Sequence, residues 1–244
     1  MMSLSHPDLW SVVNKQFKYK WMSYKSVFQG LMIAQIIAMV FSLFGVASSS
    51  MGFGFIDLNI QYITGDFVFF FTCLWAFFIS VALDRNENRL ADQIFVTNSW
   101  SRHLANVVFI VIANMIGTIT VVTASFFVKM IHIWIFGIDG FIFFGEYTLP
   151  GMLIFFIITF FYLILFSSLG YLIGSIMRQG KLIKFGVVLF VGGPLIFTDN
   201  SYLIPLFQFF GDESSVIWFI LKILLTSMLA IGLTTLVSRR LEVQ

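Results

Sequence analysis

The sequence predicts an all-α polytopic membrane protein: six transmembrane helices, both termini in the cytosol, and an amphipathic helix leading in. Three observations predict it. Of 244 residues, 59% are hydrophobic and only 11% charged, with a mean hydropathy of +0.96. Soluble domains hold roughly 45–50% apolar and about 25% charged residues. Six separate apolar stretches each approach or exceed the ~20 residues that carry a helix across ~30 Å of hydrocarbon. The basic residues then alternate. All 14 except Lys129 and Lys222 lie before the first stretch, after the second, after the fourth or after the sixth. Lys and Arg concentrate in cytosolic segments, so this pattern puts both ends inside. The strength of each stretch argues against a barrel, whose strands would alternate over about ten residues.

The chain reads as a single domain, 1–244, whose elements follow in order. In 6–26, Trp10, Val13, Phe17, Trp21 and Tyr24 recur at helical spacing, and Phe28 continues the series. That is one apolar stripe on a helix. Pro7 suits a helix start. Lys15, Lys18 and Lys25 lie mostly off the stripe, which describes an interfacial helix in the headgroup plane. No small-residue cleavage site follows, so the segment is not expected to be a signal peptide. The spans are 27–45, 63–83, 105–130, 149–176, 182–198 and 216–237. The fifth is the shortest and contains Gly192-Gly193-Pro194, where a bend is expected. Its glycines also suit close helix contact, as at a dimer seam. Between spans five and six, 199–213 is apolar and aromatic yet too short to cross. It is expected to re-enter the outer leaflet under cover of protein.

The connection 84–104 (DRNENRLADQIFVTNSWSRHL) is the densest run of charge between the first span and the last. It must lie in water on the cytosolic side, where a soluble partner can reach it. Charges inside the spans are few. Lys222 stands about six residues into the sixth span, roughly 9 Å deep at 1.5 Å per residue. It either snorkels outward or faces a polar cavity with Asp66 or Asp199. Spans three to six lack carboxylates in their central thirds, unlike a proton-driven carrier.

Catalytic patterns are missing. There is no HExxH or GxSxG motif, and the glycines of 174–181 (GSIMRQGK) have the wrong spacing for a phosphate loop. The three histidines are scattered and Cys73 is the single cysteine, so neither a metal centre nor an intrachain disulfide is expected. The chain is not expected to be an enzyme, to hold its own cofactor or to bind nucleic acid. Its Phe, Ile and Asn richness fits an AT-rich bacterial genome, hence a plasma membrane.

This arrangement resembles the permease subunits of type-two ABC exporters over the whole chain. In that family the connection between spans two and three carries a coupling helix. An acidic residue precedes a short helix and a Ser-Pro-x-Ser-Arg-like turn. Here Glu87, the stretch 89–96 and Ser99-Trp100-Ser101-Arg102 follow in that order, with Trp100 where the family often has Pro. The resemblance implies that Glu87, Arg89, Asp92, Gln93 and Phe95 engage a cytosolic ATPase subunit, which binds ATP and Mg. It implies pairing with a second permease, identical or paralogous. It also implies an amphipathic or hydrophobic cargo such as a peptide toxin, bacteriocin or antibiotic. The staphylococcal exporters of phenol-soluble modulins look similar. The other classes considered are the membrane subunit of a vitamin-type importer, which needs a polar midplane pocket, a stand-alone carrier and a membrane-embedded enzyme.

Overall fold

The computed structural model describes residues 9–44, 47–53, 56–62, 66–83, 99–136, 149–178, 208–210 and 215–242. Its helices are α1 (Leu9–Ser23), α2 (Lys25–Phe44), α3 (Asp66–Leu83), α4 (Ser99–Phe136), α5 (Leu149–Met177) and α6 (Val216–Glu242), plus one turn at 208–210. A short hairpin of β1 (Ala47–Phe53) and β2 (Ile56–Tyr62) joins α2 to α3. From α2 to α6, all five helices are long and apolar enough to cross a membrane. This is a multi-pass membrane protein. The expected spans at 27–45, 63–83, 149–176 and 216–237 coincide with α2, α3, α5 and α6 to within a few residues. The expected span 182–198, with Gly192 and Gly193, lies outside the described residues. So does most of the expected re-entrant segment, of which 208–210 is helical.

The hairpin departs from a wholly helical expectation. Its strands pair antiparallel from Ala47↔Tyr62 to Phe53↔Ile56. The sequence of β2 alternates Ile56, Leu58, Ile60 and Tyr62 with Asp57, Asn59 and Gln61, the period of a strand.

Side-chain partners fix how the helices run. Phe41 meets Phe67 while Phe28 meets Trp75, so α2 and α3 are antiparallel. Tyr24, just before α2, meets Phe109, and Gln35 meets Thr120 at the same offset of 85 residues, so α2 and α4 are parallel. Asn114 meets Ser167 and His103 meets Tyr171, so α4 and α5 are antiparallel. Tyr162 meets Phe219 and Arg178 meets Ser238, so α5 and α6 are parallel.

Helix association in lipid depends on close packing and polar contacts, because the surroundings are as apolar as the interface. Both are present. A Cβ at Gly170 would collide with the Phe77 carbonyl, and one at Gly174 would stand 2.7 Å from the Val81 carbonyl, so glycine lets α5 lie against the α3 backbone. Gln35 Nε2 donates to Thr72 Oγ1 at 3.1 Å and to Thr120 Oγ1 at 2.9 Å, tying α2, α3 and α4 together. Ser167 Oγ donates to Asn114 Oδ1 at 3.0 Å. Around these links, Leu31, Trp75, Phe109, Leu163 and Tyr171 form the main core cluster. Leu165, Phe219 and Ile223 seat α6 on α5.

Candidate functional site

The structure draws attention to the beginning of α4, directly after the charged connection. α4 has 38 residues, hence a length of ~57 Å against ~30 Å of hydrocarbon. The helix runs six residues beyond the expected span 105–130 at each end. The α2 register says where the excess lies. The 20 residues of α2 match the hydrocarbon thickness, and the shared offset puts Lys25 level with Ile110 and Phe44 level with Lys129. The first turns of α4 thus project beyond Lys25 at one end, and the turns after Lys129 project at the other.

The projecting base holds a buried polar cluster. Arg102, His103, Asn106 and Tyr171 are 6%, 3%, 1% and 0% exposed. The Asn106 amide donates to the Tyr171 hydroxyl at 3.0 Å. That hydroxyl stands 2.6 Å from His103 Nδ1. It can donate there when the ring proton is on Nε2. A tyrosine hydroxyl both accepts and donates, so one group from α5 fixes two residues on adjacent levels of the first turns of α4. From the other side, the Tyr24 ring packs on Phe109 at 5.4 Å. Burial of Ser101 and Arg102 completes a base that cannot tilt without disturbing its neighbours.

This end of the bundle is basic. Lys15, Lys18 and Lys25 are exposed, and Arg102, Arg178 and the final turns of α6 with Arg239-Arg240 lie at the same end. Arg178 Nη2 donates to Ser238 Oγ at 3.0 Å, linking α5 to α6 there. Lys129, expected at the edge of a loop, is instead a buried position within α4, as is His132 one turn further on.

The residues expected to engage an ATPase, Glu87, Arg89, Asp92, Gln93 and Phe95, lie outside the described residues. The expected amphipathic helix is α1. Of its stripe, Phe17, Trp21 and Tyr24 pack against the main core cluster, whereas Trp10 is 61% exposed. The most enclosed face keeps Val13 of that stripe but continues through Gln16 and Lys20, which lie off it. Burial of Gln16 and Lys20 was not legible in a pattern scored by hydrophobicity. At the opposite end, Lys222 Nζ donates to the Phe209 carbonyl at 3.2 Å and lies 4.3 Å from the centre of that ring. Asp66 is an exposed residue in the first turn of α3, where a carboxylate suits the helix dipole. Among the described contacts, Lys222 meets Phe209 rather than Asp66.

Among the described residues, no three His, Cys, Asp or Glu side chains stand together to hold a metal ion. The chain matches no protein-family model, no curated protein and no solved structure.

Proposed function

We propose that the chain is the membrane subunit of an ATP-driven exporter of the type-two ABC kind, moving an amphipathic or hydrophobic cargo. The observation that carries the reading is the base of α4. The most charged connection of the chain runs straight into a helix start that is locked to α5 by Tyr171 and braced by Tyr24. A push delivered at 84–98 would pass into α4 as a rigid body, not be absorbed by a loose loop. The parallel course of α5 and α6 supports a sixth crossing within 179–215, the position of the expected span 182–198. Six crossings leave α1 and the end of α6 on one side. Their basic residues support a cytosolic position for that side.

In this reading a separate cytosolic ATPase grips the connection through Glu87, Arg89, Asp92, Gln93 and Phe95. Closure of two ATPase subunits displaces the α4 base. The stiff helix carries the motion to its far end and opens a path between two membrane subunits in a plasma membrane. A peptide toxin, bacteriocin or antibiotic suits the apolar and aromatic character of the helices.

The test is Glu87→Ala combined with Arg89→Ala. The double variant is expected to insert at the normal level, lose most of its co-purifying ATPase and stop exporting. A variant that couples ATP hydrolysis to export at the wild-type rate would show that these residues do not form the contact.

A further inference from the structure

A groove between α1 and α4 has no part in that mechanism. It encloses about 300 Å³ and is lined by Phe17, Lys18, Trp21 and Met22 from α1 and Ile112 from α4. Four of the five walls are apolar, and Lys18 is the one charged residue among them. Met22 is 69% exposed, so the groove opens outward. It also lies at a definite depth. Ile112 is within a turn of Ile110, the residue level with Lys25 at the basic end of the hydrocarbon. Lys15, Lys18 and Met22 recur at helical spacing on the exposed side of α1, and Lys25 is exposed at the start of α2.

We propose that this groove is a binding site for one anionic phospholipid. The upper part of an acyl chain lies against Phe17, Trp21, Met22 and Ile112, and the phosphate pairs with the Lys18 ammonium. The occupant follows from the combination. An apolar trough at hydrocarbon depth selects an acyl chain over a soluble anion. A lysine at its wall selects a negative headgroup over a zwitterionic one. A lysine that pairs with an anionic headgroup at the membrane surface strengthens binding by about fivefold. Lys15 and Lys25 do not line the groove, so the phosphate of the lipid seated there pairs with Lys18. Nothing here depends on which cargo the protein moves, or on whether it moves one.

The full-length protein is reconstituted in phosphatidylcholine vesicles doped with phosphatidylglycerol. Bromine is placed on the acyl chains of one lipid or the other. Quenching of Trp21 is read as the difference between the wild type and Trp21→Phe. Brominated phosphatidylglycerol is expected to quench Trp21 far above its share of the bilayer. Lys18→Gln should lower that preference about fivefold, while Lys15→Gln and Lys25→Gln retain most of it. Ile112→Phe, which narrows the groove and leaves every lysine in place, should reduce quenching by both lipids. The proposal is overturned if Lys18→Gln keeps the preference, or if all three lysine variants lose it equally, the mark of diffuse surface attraction. It is also overturned if neither brominated lipid reaches Trp21, which would mean that a second copy or another part of this chain covers the groove.

Discussion

Replacing Gly170 by Ala puts a methyl group where α5 touches the α3 backbone. The added carbon would collide with the Phe77 carbonyl, and the Phe77 Cα and carbonyl carbon both stand 3.1 Å away. These are main-chain atoms, so no rotamer change can relieve the contact and the two helices must separate or rotate. Overpacking of this kind costs about 1–3 kcal/mol. Separation would also strain the link from Ser167 to Asn114 and the packing of Phe69 on Tyr162. At 2–4 °C per kcal/mol for a chain of this size, Tm should fall by roughly 2–12 °C. Gly30 and Gly232 provide the control, because a Cβ at either meets nothing within 4 Å. Alanine there should be neutral or stabilise by up to about 1 kcal/mol through helix propensity. The assay is thermal unfolding in detergent, followed by the emission of the six tryptophans. Wild-type stability in Gly170→Ala, or an equal loss in Gly30→Ala, would refute backbone contact between α3 and α5.

Two further substitutions test the polar links. Gln35→Leu removes the donor shared by Thr72 and Thr120. At about 0.6 kcal/mol per interhelical bond, and up to about 1.7, it should cost about 1–3 kcal/mol in SDS unfolding. Thr123→Ala, which loses only an exposed bond to Ile119 within α4, should leave stability unchanged. Tyr171→Phe leaves His103 and Asn106 without the shared hydroxyl and should cost about 1–3 kcal/mol. If the base of α4 transmits force, Tyr171→Phe should also weaken stimulation of the partner ATPase by cargo; unchanged stimulation would place the cluster outside the coupling route.

The helices were legible because crossing hydrocarbon imposes a length and a composition that few other segments share. Among the described helices, α2, α3, α5 and α6 lie close to the expected limits, and α4 extends past them at both ends. Arg102, Lys129 and His132 look like loop residues when hydropathy alone is scored, yet the helix continues through them because neighbouring elements bury them. The hairpin was hidden for a different reason. Its alternation in 56–62 is clear, but β1 reads Ala-Ser-Ser-Ser-Met-Gly-Phe, a sequence with little strand character of its own. At the candidate site, the charged connection was visible as an interruption between spans. The residues that fix the next helix were not. Asn106 and His103 meet Tyr171 across 65 and 68 positions of sequence, and no spacing rule reaches that far. For α1 the stripe was nearly right, but packing against α4 selected a neighbouring face that contains Gln16 and Lys20. Hydrophobicity cannot anticipate a buried face built partly from polar residues.

The central claim is that an ATPase drives this chain through 84–98 at its basic end. Site-directed cross-linking tests it most directly. A single cysteine is placed at Asp92, or at Ser50 in the hairpin at the opposite end, with Cys73 changed to Ala. Membranes carrying each variant and the partner ATPase are then treated with a short thiol cross-linker. A cross-linked product with the ATPase is expected from position 92 and none from position 50. A product from position 50, or none from position 92 while the complex remains intact, would contradict it.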